Sequence, residues 1–194
     1  MGTLIYKQHF MTKISSKTLF VIVAIVIVAL SRLMPHIPNF TPVAAMALFG
    51  GAFMANKKSA YLLTFAALLL SDILVNTLLY NDYNFTNYLA QLFVWAVYFS
   101  FGLTVFMGTT IQNNISVKNV LGFSISSSFL FWLLTNFACW PNNPLYSQDF
   151  SGLINCYVAA IPFLGNVLGD LFYNTLLFGS MFLAAKRIPA LVKA

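Results

Sequence analysis

Two aspartates and one arginine sit where a chain this oily has little reason to keep them. Asp72 lies inside "YLLTFAALLLSDILVNTLLY" and Asp170 inside "LGNVLGDLFYNTLLFGS", while Arg32 closes a run that ends "IVIVALSR". An ionisable group inside an apolar span costs about 2.5–3.5 kcal/mol on insertion scales, so it is a functional-site candidate by default. Polar residues gather around these three. His36 and Asn39 follow Arg32 in "MPHIPNFTP", and Asn76 stands one helical turn beyond Asp72. Asn166 and Tyr173 share a helical face with Asp170, and Asn136 and Trp140 close another apolar run. Together they have the chemistry of a small-solute pocket: apolar and aromatic walls with a few polar groups that fix orientation. The candidate substrate-binding set is therefore Arg32, His36, Asn39, Asp72, Asn76, Asn136, Trp140, Asn166, Asp170 and Tyr173. Two readings of Arg32 stand side by side. It grips an anionic or carbonyl group of a ligand, or it is held by Asp72 and Asp170 as a structural pair. His36 likewise either braces the proline turn or touches the ligand.

The elements that must position these residues follow from composition. Of 194 residues, 60% are hydrophobic and 7% charged, against about 25% charged in soluble domains. An all-α integral membrane protein of one domain is expected. Six apolar segments are visible, at about 17–34, 42–56, 59–80, 87–108, 118–138 and 152–185. A spanning helix needs about 20 residues, so the second is short and the sixth too long. Pro162 lies inside the sixth, which divides into an outer helix at about 152–161 and a span at about 164–186. Thr41-Pro42 reads as a helix start, with Thr41 as the cap and Pro42 at the first helical position. Ala47, Gly51 and Ala55, and again Gly165 and Gly169, recur at four-residue spacing, which lets helix backbones approach closely in lipid.

Charge gives the orientation. Lys7, Lys13 and Lys17 precede the first segment, and Lys57 and Lys58 separate the second from the third. Lys118 opens the fifth, and Lys186, Arg187 and Lys193 follow the sixth. The stretches 81–86 and 139–151 hold no Lys or Arg. By the positive-inside rule both termini are cytoplasmic, and Arg32 is the lone basic residue on the outer side. The charged groups of the candidate set then lie in the outer half of the bundle. Residues 1–31 also fit a signal peptide, with a basic start, an apolar run and a small-residue site at Ala29-Leu30-Ser31.

Other classes fall away. The net charge of +6 comes from short clusters between apolar runs, which is a topology signal and not a nucleic-acid surface. HExxH, GxSxG, P-loop and GxGxxG motifs are missing, so no enzyme, cofactor or nucleotide-driven motor is expected. Cys139 and Cys156 form no CxxC; they read as buried thiols, as a disulfide pair, or as metal or cobalt ligands.

Several stretches also carry a resemblance. They are Arg32…Pro35-His36…Pro38-Asn39-Phe40-Thr41-Pro42, Ala47-Leu48-Phe49-Gly50-Gly51, Ser71-Asp72, Thr135-Asn136-Phe137, Cys156-Tyr157, Pro162-Phe163 and Gly169-Asp170…Tyr173…Leu177-Phe178-Gly179. They resemble an uncharacterised family of bacterial membrane proteins, itself similar to the substrate-binding S components of energy-coupling-factor (ECF) vitamin transporters. The resemblance implies a six-transmembrane-helix bundle in the bacterial cytoplasmic membrane, with both termini inside. It implies a vitamin-like solute bound near the outer face, and an ECF-type transmembrane partner with two ATPases. S components often dock through an alanine pair at four-residue spacing on the first helix, whereas this chain has Ala24 and Ala29, five apart. Some relatives act alone, one of them a cobalamin transporter that uses a cysteine near its substrate. Two other readings remain open: a stand-alone proton-coupled carrier titrating at Asp72 or Asp170, and a membrane enzyme or structural subunit.

Overall fold

The computed structural model describes residues 15–34, 40–79, 84–188 and 191. Its helices are α1 (Ser16–Leu30), α2 (Val43–Phe53), α3 (Lys57–Leu79), α4 (Phe85–Ala90), α5 (Leu92–Thr110), α6 (Val117–Cys139), α7 (Phe150–Ala159) and α8 (Asn166–Arg187). Short 3-10 turns at Ser31–Leu33 and Ile161–Gly165 complete the described elements, and no strand occurs among them. Five helices are long and apolar enough to cross a membrane: α1 with its 3-10 extension, α3, α5, α6 and α8. Large apolar side chains such as Leu62, Trp95, Phe106, Phe129, Phe172 and Leu183 face outward. That is a surface made for hydrocarbon, because a water-facing bundle would hide such groups.

Local signals set the boundaries. Ser15 accepts from the Thr18 N–H to open α1, Ser116 from Asn119 to open α6, and Asp149 from Gly152 to open α7. Each is an N-cap satisfying a donor that the first helical turn leaves without a partner. The fourth apolar segment, expected to be continuous over 87–108, is divided at Gln91, whose extended backbone (φ −82°, ψ 124°) separates α4 from α5. The break expected near Pro162 is the 3-10 turn Ile161–Gly165.

The centre of the molecule is α2. Residues 43–52 of this helix are all buried, and α1, α3, α5, α6 and α8 surround it. Its 11 residues extend about 16 Å, roughly half of a hydrocarbon core of about 30 Å. Glycine makes its closest contact possible. Gly51 of α2 faces Gly108 of α5, and a Cβ on Gly51 would stand 2.9 Å from the Gly108 Cα. The small-residue pattern of α2 thus serves helix–helix approach within the chain.

Candidate functional site

A helix buried on all sides must find partners for both of its ends, since no water reaches the orphan N–H and C=O groups. For α2 the two partners come from different parts of the chain, α8 and the α5–α6 connection. Pro42 occupies the N-cap position and offers no side-chain acceptor, so the expected Thr41 cap does not form. Asp170 of α8 takes that role from outside: its carboxylate faces the backbone N–H groups of Ala44 and Ala45. Ser128 of α6 donates to the same carboxylate at 2.7 Å. A negative charge at a helix N-terminus also meets the positive end of the macrodipole. Gly169 makes the reach possible. A Cβ there would stand 3.0 Å from the Thr41 nitrogen and 3.1 Å from the Phe40 carbonyl carbon. Without one, the chain entering α2 lies directly on α8, beside Asp170. The Phe40 ring fixes the same approach, 5.8 Å from the Tyr173 ring and 5.5 Å from that of Phe172. At the other end of α2, Gln112 Nε2 donates to the carbonyls of Gly51 (2.8 Å) and Met54 (2.9 Å).

Around Asp170 a polar seam joins α6 to α8. Asn166, Asp170 and Asn174, spaced by four, all lie on it and are buried. They face Ser124, Ser127 and Ser128, which are 0% exposed. Asn174 donates to Ser124 Oγ at 2.9 Å, and Asn166 to the Ser128 carbonyl at 3.3 Å.

Arg32 belongs to a second cluster. Its Nη1 lies 2.6 Å from Asp72 Oδ1 and also donates to Ser71 Oγ. The second carboxylate oxygen accepts from Tyr88 at 2.6 Å and from Tyr98 at 3.4 Å. The side chains of Arg32 and Asp72 are 15% and 8% exposed, so the pair is largely desolvated and its geometry must be good to hold. The carboxylate is satisfied on both oxygens. The guanidinium uses Nη1 alone among the described residues, which leaves donors on Nη2 and Nε.

The remaining sequence candidates divide. Asp170 forms no ion pair with Arg32; the only ion pair among the described residues is Arg32–Asp72. Tyr173 joins the α1 end through a 3.2 Å hydrogen bond between its hydroxyl and that of Ser31. Asn76 and Asn136 donate to the carbonyls one turn back, Asp72 (2.8 Å) and Trp132 (2.7 Å). Trp140 donates to the Ser147 carbonyl at 2.9 Å and braces the 140–149 connection. His36 and Asn39 lie outside the described residues. Cys139 and Cys156 are free thiols, and no group of three His, Cys, Asp or Glu suits a metal among the described residues. Sequence reasoning missed Tyr88, Tyr98, Ser128 and Gln112 as partners of the buried groups. Only Ser128 carried a signal, in the small polar cluster Ser126-Ser127-Ser128 within an apolar run.

Fold and site together define a multi-pass, all-helical membrane protein with a charged cluster buried between its helices. The chain belongs to a family of unknown function, DUF6580, whose model matches residues 12–191. No curated protein and no solved structure matches it.

Proposed function

We propose that the protein is a membrane uptake component that binds a vitamin-like small nutrient from the extracytoplasmic side, in the manner of an ECF S component. One observation carries the reading. Arg32 is held at the end of α1 by Ser71 and by Asp72, which Tyr88 and Tyr98 anchor in turn, yet it keeps Nη2 and Nε donors without a partner among the described residues. A guanidinium fixed by one carboxylate and free on its other edge is a preorganised receptor for a carboxylate, phosphate or carbonyl group. The basic residues Lys57, Lys58, Lys118, Lys186 and Arg187 gather in the terminal turns of α3, α6 and α8 at the opposite end of the bundle, which supports an outward-facing Arg32. In this reading α2 with its flanking backbone is a sixth crossing, both termini are cytoplasmic, and the membrane is the bacterial inner one. The chain delivers its solute either alone or to an ECF-type transmembrane partner with ATPases.

The test is native mass spectrometry of the purified protein for a co-purified small molecule, repeated with Arg32→Lys. Lysine keeps the charge opposite Asp72 and loses the planar fork, so the protein stays folded and the adduct is lost. An adduct retained undiminished by Arg32→Lys sinks the site assignment.

A second reading, a stand-alone proton-coupled carrier, has one observation in its favour. Asp170 is 3% exposed and has no cationic partner among the described residues. Solute uptake into ATPase-free liposomes under a pH gradient, abolished by Asp170→Asn, would select it.

A further inference from the structure

The end of the bundle remote from Arg32 holds a groove that meets the polar seam only at Asn174. It runs between the start of α6 and the second half of α8 and has a volume of about 580 Å³. Val117, Val120 and Leu121 form one wall, Phe178 and Phe182 the other, and Phe53 of α2 contributes to the lining. Gly179 leaves the groove open, because a Cβ there would meet nothing within 4 Å. Lys186 lies one turn beyond Phe182, with its Nζ 4.3 Å from the centre of that ring. Arg187 is next to it, and Lys118 adjoins Val117 on the facing wall; all three cations are exposed.

These cations lack a carboxylate among the described residues, since the one ion pair there is Arg32–Asp72. Asp170, on the same helix as Lys186, is about 24 Å away along the axis. An apolar slot with an uncompensated cationic mouth at a membrane surface matches one kind of molecule: an anion at the surface joined to a chain that enters the hydrocarbon. Basic pockets between transmembrane helices take anionic headgroups in this way.

We infer that the α6–α8 groove is a binding site for an anionic phospholipid, with an acyl chain along Val120, Gly179 and Phe182 and the phosphate among Lys118, Lys186 and Arg187. Residues near Arg32 take no part, so this site and the proposed nutrient site stand or fall separately.

The experiment places the full chain in nanodiscs of phosphatidylcholine mixed with phosphatidylglycerol and reads retained lipid by native mass spectrometry. Three surface cations at about fivefold each give a preference for phosphatidylglycerol of about a hundredfold. Lys118→Gln/Lys186→Gln/Arg187→Gln, altered only on exposed side chains, is expected to fold and to lose that preference. Gly179→Phe fills the slot and is expected to lose the retained lipid with all three cations in place. A wild type without preference, a triple variant that keeps it, or Gly179→Phe retaining phosphatidylglycerol undiminished would each overturn the assignment. So would a second protein chain, in place of lipid, released by Gly179→Phe.

Discussion

Asp72 and Asp170 look alike in sequence, each alone in an apolar helix, but the fold keeps them by different means. Asp72 has a counter-ion, Arg32, and two tyrosine hydroxyls. Asp170 has no cation among the described residues; the Ser128 hydroxyl holds it, and two backbone N–H groups of α2 face it. One carboxylate is neutralised by a charge, the other by the partial charge of a helix end. The difference shows that a buried acid in a membrane bundle need not mark a ligand site. Asp170 has a structural partner in the start of α2. Arg32, with donors to spare, is not exhausted by the acid it pairs with.

Breaking the ion pair from one side gives the largest effect. Arg32→Met strands a desolvated Asp72 carboxylate and is expected to cost about 3–5 kcal/mol in unfolding from detergent micelles. Arg32→Met/Asp72→Leu recovers most of that loss, since a well-packed apolar pair replaces a buried ion pair at little cost. If the single variant were as stable as wild type, Asp72 would not depend on its counter-ion.

Uncapping α2 comes next. Asp170→Ala leaves the N-terminal N–H groups of α2 without a side-chain acceptor, while the Ser128 hydroxyl keeps the Ser124 carbonyl, for a loss of about 3 kcal/mol. Asp170→Asn keeps an acceptor and loses mainly the charge–dipole contribution, about 1–2 kcal/mol. Equal losses for the two variants would remove the charge from the explanation. Gln112→Ala, at the opposite end of α2, breaks two neutral hydrogen bonds and is expected to cost about 1–2 kcal/mol in the same assay.

The smallest effect sharpens the comparison by adding water. Asp149 caps α7 as Asp170 caps α2, but in the open. The Gly152 N–H and then the Ser147 hydroxyl hold its carboxyl below the ordinary 3.8. A depressed value in the folded state means that the cap contributes fully above the unfolded value and is lost as pH falls through the folded one. Protection of the Gly152 and Leu153 amides, taken relative to the intrinsic exchange rate at each pH, should therefore fall below pH 3.8, with no change between pH 5 and 8. Protection already falling at pH 6 would contradict the cap.

Much of the helical framework could be read from apolar run length alone, because a chain without water must close its backbone hydrogen bonds within each segment. The break at Pro162 was legible for the same reason: proline removes a donor. Gln91 was not, since no proline or glycine at 87–95 marks the extended backbone found there. Within the site, Arg32 and Asp72 were legible as costly groups that need partners. Tyr88 and Tyr98 were not, because a tyrosine in a membrane protein is as readily an interface residue. The partners of Asp170 were not legible for a definite reason. Its partners are backbone amides of another helix, and the sequence at 44–45 reads only Ala-Ala. Gly169 was read as a helix-packing residue, and the backbone it admits is a loop instead of a helix.

The encasement of α2 carries one more consequence. A helix of 11 residues exposed to lipid would have to thin the bilayer around it, at a cost that rises with every ångström of mismatch. Ringed by α1, α3, α5, α6 and α8, it meets no such demand. Membranes of different thickness will tilt or stretch the outer ring and leave the central helix, with both of its caps, under constant load.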